Sequence, residues 1–190
     1  MSINFSKSLP RAVQLAHEIV SSRVGPGDTA VDATVGNGHD TLFLAKLVGE
    51  TGTVVGFDIQ ESAIETAKNR IPKNASVDFH LECHSAMSRF LDEQVSAVMF
   101  NLGYLPSGDK SIITTPDSTL SALKASIEAL KPCGVVTVVA YSGHPGGEEE
   151  KSSVAGWCRE LPQSEFSVVH YGFLNQANNP PQLFAIEKLA

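Results

Sequence analysis

Residues 29–41, TAVDATVGNGHDT, decide the fold. The run at 29–33 is short, apolar and partly β-branched, the pattern of a buried strand. It gives way to a loop, 34–40, holding Gly36 and Gly38, and then to a stretch at helical spacing over 41–48. Glycines at those two places let the backbone turn sharply and approach a ligand where a Cβ would collide. A second strand, GTVVGFD (52–58), ends in Asp58, twenty residues beyond Gly38. A carboxylate there can accept hydrogen bonds from both hydroxyls of a ribose.

Working outward, Ala12, Leu15, Ala16, Ile19 and Val20 recur at helical spacing after Pro10. A helix is expected over 61–71, with Ala63, Ile64, Ala67 and Ile71 on one face and Pro72 beyond its end. Strands are expected at 77–82, 95–101 and 135–140. The stripe Leu120, Leu123, Ile127 and Leu130 predicts a helix that stops near Pro132 and Gly134. A helix around 148–161 and two closing strands, 166–173 and 183–188, complete the chain. Strands alternating with helices imply a mostly parallel sheet covered on both faces, with one antiparallel strand from the closing pair. The expected class is α/β: a Rossmann-like, seven-stranded, mostly parallel sheet forming one domain over residues 1–190. In such sheets ligands bind beyond the carboxyl ends of the strands, where strand order reverses.

Composition narrows the function. The chain has 190 residues, 14 Lys+Arg against 21 Asp+Glu, and a formal net charge of −7. That balance argues against a protein that grips long duplex by counterion release, but not against a small contact with a folded RNA. No apolar run approaches the roughly 18 residues of a membrane span, so no membrane partner is expected. Cys83, Cys133 and Cys158 are scattered and form no metal-ligand spacing, which fits reduced thiols in a cytoplasmic protein and predicts no metal. The candidate RNA-facing cations are Lys7, Arg11, Arg23 and Lys110. A second copy in a homodimer is the other source of positive charge.

Two cofactor classes share the layout around Asp58. A dinucleotide fold wants a third glycine at position 41, which is Thr here. Asp32, four residues before Gly36, puts negative charge near the expected mouth of the site, a poor neighbour for a pyrophosphate but a suitable one for the ammonium of a methionine moiety. S-adenosyl-L-methionine (SAM) is therefore favoured over NAD. His84 and Ser85 follow the third strand, where an adenine contact is expected.

The fourth strand ends in NLGYLP, residues 101–106. An Asn followed by a short apolar run ending in Tyr is similar to the Asn/Asp-Pro-Pro-Tyr signature of enzymes that methylate amino nitrogens. The amide oxygen of Asn101 and neighbouring carbonyls can accept hydrogen bonds from a target amine and aim its lone pair, while the Tyr104 ring packs on a base. The fifth strand runs into YSGHPGG, residues 141–147, a tight loop carrying His144 over the same rim. His144 can take a proton from an ammonium substrate or orient it. Residues 148–150, three glutamates, read as a helix start favoured by the dipole. Asn175, in NQANNPP (175–181), can read a base edge or make a turn.

DATVGNGHDT (32–41), NLGYLPSGDK (101–110), YSGHPGGEEE (141–150) and NQANNPP (175–181) together resemble the MnmM/YtqB family of small SAM-dependent proteins, long labelled rRNA methylases. The resemblance runs from about Leu9 to Glu187. It implies methylation of the exocyclic amine of 5-aminomethyl-(2-thio)uridine in a tRNA anticodon stem-loop. It places Asp32, Asn37, Gly38, Asp40, Asp58 and Gln60 in the SAM site, and the expected set also takes in Thr34, Gly36, Thr41, Ile59, His84, Ser85 and Asn101. Asn101, Tyr104 and His144 would be catalytic. Leu102, Gly103, Tyr104, Pro106, Tyr141, His144 and Asn175 would face the substrate. Three other readings stay open: a SAM enzyme acting on rRNA or a small amine, a non-catalytic SAM-binding RNA module, and an NAD-dependent reductase.

Overall fold

The computed structural model describes residues 8–91, 93–105 and 113–190. Helix α1 (Ala12–Ser21) precedes strand β1 (Thr29–Asp32), and α2 (His39–Val48) leads to β2 (Thr53–Asp58). Then come α3 (Glu61–Arg70), β3 (Val77–Leu81), β4 (Val95–Leu102), α4 (Pro116–Ala129) and β5 (Leu130–Ala140). Helix α5 (Gly147–Glu160) and strands β6 (Phe166–Tyr171) and β7 (Gln182–Lys188) close the chain. The seven strands form one sheet in the order β3-β2-β1-β4-β5-β7-β6. All neighbours are parallel except β7, which runs antiparallel to both β5 and β6.

Alternation along β4 shows how the layers form. Val98 and Phe100 point to one core with Leu123 of α4 and Val154 of α5. Ala97 and Met99 point to the other, with Ala16 and Val20 of α1 and Leu44 and Val48 of α2. Period-two side chains on a central strand thus receive helices on both faces. The chain steps from β1 outward through β2 and β3, then returns to the other side of β1 as β4, so the strand order reverses between β1 and β4.

Several boundaries differ from the sequence expectation, most of them by a residue or two. Helix α4 begins at Pro116, whose missing N–H costs nothing in a first turn, and it ends at Ala129. Leu130 therefore opens β5 rather than closing the helix. The strand passes through Pro132-Cys133-Gly134 because this stretch bulges: Val95 pairs with Leu130 but Ala97 already pairs with Val135, and Cys133 takes φ +63. Asp40, expected in the loop, lies in the first turn of α2. Residues 84–89, after β3, form 3-10 turns. Among the described residues no helix is long and apolar enough to cross a membrane.

Candidate active site

At the carboxyl ends of β1, β2, β4 and β5 the surface opens into a cavity of about 700 Å³, within the usual size of small-molecule sites. The glycine loop forms one wall. Gly36 (φ +50) and Gly38 (φ +75) both take the left-handed conformation. A Cβ on Gly38 would stand 2.8 Å from Ala67, so this glycine lets α2 and α3 approach. Asp58 accepts hydrogen bonds from the amides of Gly36 (2.8 Å) and Gln60 (2.9 Å), one on each oxygen. Each carboxylate oxygen keeps acceptor capacity beyond these bonds. A ribose diol fits this chemistry, and the glycine backbone leaves room for it, so the residues present suit an adenosine-containing cofactor.

Asp32 corrects the sequence reading. It is fully buried rather than near the mouth, accepting hydrogen bonds from the Thr34 amide (3.1 Å) and the Thr41 hydroxyl (2.6 Å). Burial, and then the neighbouring Asp40 carboxylate, push its pKa up to about 7 against the weaker pull of those two bonds. Asp32 braces the loop from beneath. Asp40, from the first turn of α2, reaches the cavity where Asp32 does not.

Asp40 links three elements. Its Oδ1 lies 2.7 Å from His17 Nε2 of α1, and its Oδ2 accepts a hydrogen bond from Asn101 Nδ2 at the end of β4. The Asn101 backbone amide also donates to Thr34 Oγ1 at 2.7 Å. Asn101 is thus held at both backbone and side chain where the strand order reverses.

His84 is buried beneath the cofactor wall, its Nδ1 donating to the Ala33 carbonyl at 3.1 Å. Burial holds its pKa below the ordinary histidine value, so the ring is neutral with Nε2 as an acceptor. Among the described residues that Nε2 has no hydrogen-bond partner.

The opposite rim carries Tyr104 and Tyr141, 38% and 39% exposed. The Tyr104 ring meets His144 edge-on, with centroids 5.7 Å apart. His144 Nδ1 donates to the Pro145 carbonyl at 3.0 Å, and its buried Nε2 lies against Gly103 and Gly147. A Cβ on Gly103 would come 3.3 Å from that nitrogen, and one on Gly147 would come within 2.8 Å. In this arrangement neither nitrogen is placed to take a proton from the cavity, and the ring locks two loops together under Tyr104. The partial burial of the Tyr141 phenol, and then the Asp40 charge, raise its pKa. Tyr141 therefore stays a hydroxyl donor.

Beneath this rim is a feature that local sequence reading passed over. Glu150, buried in α5, accepts hydrogen bonds from Thr114 Oγ1 and Thr119 Oγ1, both at 2.7 Å. Thr114 Oγ1 in turn accepts from the Gly103 amide at 2.9 Å, while the Thr114 amide donates to the Gly103 carbonyl at 3.0 Å. A signal was present: Glu150 lies four and eight residues before Val154 and Cys158, all on the buried stripe of α5.

Of the expected residues, Thr34, Gly36, Asn37, Asp40, Asp58, Ile59, Gln60, His84, Asn101, Leu102, Gly103, Tyr104, Tyr141 and His144 line the cavity. Asp32, Gly38, Thr41, Ser85 and Asn175 do not. Ser85 turns aside to Cys83, and the closing loop reaches the cavity with Asn178, Asn179, Pro180 and Pro181 in place of Asn175. Asn178 and Asn179 adopt positive φ, which bends the loop inward. Pro106, Lys7 and Lys110 lie outside the described residues. Arg23 is held by Glu187 at 2.6 Å, leaving Arg11 as an exposed cation beside the Tyr141 rim. Among the described residues no group of three or more His, Cys, Asp or Glu is placed to hold a metal ion.

Comparison with known proteins places this geometry in context. The family profile described as "Putative rRNA methylase" matches residues 54–187. A profile for protein-L-isoaspartate O-methyltransferases matches residues 1–90, the half that holds the glycine loop. The chain is 41% identical over 94% of its length to the tRNA (mnm5s2U34)-methyltransferase, chloroplastic, of Arabidopsis thaliana, covering 70% of that protein. Among solved structures it resembles a Clostridium thermocellum protein described as a "putative rRNA-methylase", with TM-score 0.93 and 45% identity over 96% of this chain and 100% of the other. A Streptococcus mutans protein described as "a putative methyltransferase", in complex with S-adenosylhomocysteine, gives TM-score 0.88 and 37% identity, again over 96% of this chain and 100% of the other.

Proposed function

The chain belongs to the family described as "Putative rRNA methylase", and from that premise we propose that it methylates the exocyclic amine of 5-aminomethyl-(2-thio)uridine at the wobble position of tRNA. It is a SAM-dependent methyltransferase. One observation supports the finer reading: the Asp58 carboxylate and the Asn101 amide open into one cavity rimmed by two half-exposed tyrosines. The tRNA relative supports the choice of acceptor.

In this reading Asp58 accepts from the ribose hydroxyls, the Gly36–Gly38 loop admits the cofactor, and His84 lies toward the adenine end. When bound, SAM supplies an electrophilic methyl on a sulfonium sulfur. The target amine would have to meet that methyl in its neutral form, its ammonium proton having passed to solvent. The Asn101 Oδ1 accepts a hydrogen bond from the neutral amine and aims its lone pair along the reaction axis. Tyr104 and Tyr141 present faces on which an unstacked anticodon base can lie. His144 supports Tyr104 from behind.

The rest of the proposal follows from the substrate. An anticodon loop presents splayed bases, so an acidic protein needs only a small contact, with Arg11 beside the rim. Residues 1–190 would act as one catalytic domain on the cytoplasmic tRNA pool. A rival acceptor, rRNA, is favoured by the family's description alone. Nucleoside mass spectrometry of tRNA from a strain lacking this protein should show 5-aminomethyl-(2-thio)uridine accumulating, with rRNA methylation unaltered. Unchanged tRNA would overturn the substrate assignment.

A further inference from the structure

The amide of Asn101 is useful to a target amine in only one of its two orientations. Turned one way it offers an acceptor oxygen; turned the other it offers an NH2 that opposes the amine's own hydrogens. The neighbour that selects between them is Asp40, whose carboxylate is an acceptor only. The Asn101 atom facing Asp40 Oδ2 must therefore be the donor Nδ2, which leaves Oδ1 as the amide's acceptor for the cavity. The same logic makes the His17 atom facing Asp40 Oδ1 an N–H donor.

His17 is itself held in place. Its ring stacks on Phe43 of α2, with centroids 3.9 Å apart and planes 6° from parallel. The stack fixes the ring plane and the 2.7 Å bond to Asp40 fixes its tip. Asp40 is buried near the Asp32 carboxylate, and the two repel each other when charged. Among the described residues, the Asn101 amide is the other hydrogen-bond partner of that carboxylate, so without the donor on Oδ1 its rotamer would rest on the amide it is meant to orient.

We propose that His17 is a positioning residue: through Asp40 it fixes the Asn101 amide with Oδ1 toward the target amine. This rests on the amine-methylating role given to Asn101 above. His17 touches neither substrate nor cofactor in this scheme. Its contribution is to remove the unproductive amide orientation, so it acts on the methyl-transfer step and not on SAM binding.

Two substitutions separate donor from ring. His17→Phe keeps the stack on Phe43 and removes the donor; His17→Gln keeps a donor at similar reach and loses the stack. In SAM-free protein, the Asn101 side-chain 15N–1H resonances should move in His17→Phe and return toward wild type in His17→Gln. Calorimetry should give SAM affinities within about threefold for all three proteins, whereas single-turnover transfer to an anticodon stem-loop bearing 5-aminomethyluridine slows about tenfold or more in His17→Phe and recovers to within about threefold in His17→Gln. If His17→Phe does not fold, His17→Asn, too short to reach Asp40, carries the same expectation. Wild-type rates and amide resonances in His17→Phe, or equal loss in both variants, would overturn the proposal. A wild-type protein inert on the stem-loop would instead fail the substrate reading, and the Asn101 resonances would then decide the positioning role alone.

Discussion

The buried carboxylate of Glu150 accepts a hydrogen bond from the Thr114 hydroxyl at 2.7 Å, and that hydroxyl carries the Gly103 amide on its other side. A residue of α5 thereby sets the backbone of the loop that presents Tyr104. Glu150→Ala removes the acceptor for both Thr114 and Thr119 and leaves a hole, a loss of about 2–4 kcal/mol. Urea denaturation measures it. Glu150→Gln, which keeps one acceptor and the volume, should cost less than half as much.

Asp58 has a second role besides its place in the cavity, since it tethers the amides of Gly36 and Gln60. Asp58→Ala is expected to weaken SAM binding by about 1–3 kcal/mol, the scale of losing a charge-assisted bond and leaving partners unpaired. Calorimetry reads this directly. An unaltered affinity would mean that the ribose does not lie on β2.

Glycines at two places make opposite predictions. Gly38 sits at φ +75 with Ala67 2.8 Å from where a Cβ would be, so Gly38→Ala should destabilise the protein by about 1–3 kcal/mol. Gly156, inside α5, has open space around its missing Cβ. Gly156→Ala should stabilise by about 0.5–1 kcal/mol through helix propensity alone. Thermal melts of the pair distinguish a packing glycine from a tolerated one.

Asp32 predicts a pH dependence of stability. Burial and the charges of Asp40 and Asp58 raise its folded pKa to about 7 from 3.8. The folded protein thus holds this proton more tightly than the unfolded chain, so the associated stability is complete below about pH 4 and is lost as pH climbs toward about 7. Asp32→Asn does not titrate and keeps groups able to meet the Thr34 amide and the Thr41 hydroxyl. Wild-type stability relative to Asp32→Asn should therefore fall between those pH values. A difference that stays flat across the window would contradict the raised pKa.

What the sequence made legible was local. The strand, glycine loop and helix around Gly36 and Gly38 are neighbours in the chain, and so are β2 and the Asp58 that ends it. Asn101 and Tyr104 could be singled out because a strand end carries them. The supports of these residues could not, because they come from afar: His17 meets Asp40 across 23 positions, Thr34 meets Asn101 across 67, and Thr114 meets Glu150 across 36. Asp32 lies away from its expected place for the same reason. Its distance from Gly36 in sequence suggested the mouth of the site, whereas the turn back through Thr34 and Thr41 folds it underneath. Leu130 has the spacing of the α4 stripe, yet it pairs with Val95 as a strand residue.

The proposed function requires that one cavity receive SAM and present an anticodon amine to it. Purified protein, SAM and a synthetic anticodon stem-loop bearing 5-aminomethyluridine at the wobble position test it most directly, with the product digested and weighed by mass spectrometry. The account predicts one added methyl on the exocyclic amine, none on a stem-loop with plain uridine, and none in the Asn101→Ala variant. Methyl transfer to an rRNA fragment with none to the stem-loop, or transfer to a base atom in place of the amine, would contradict it.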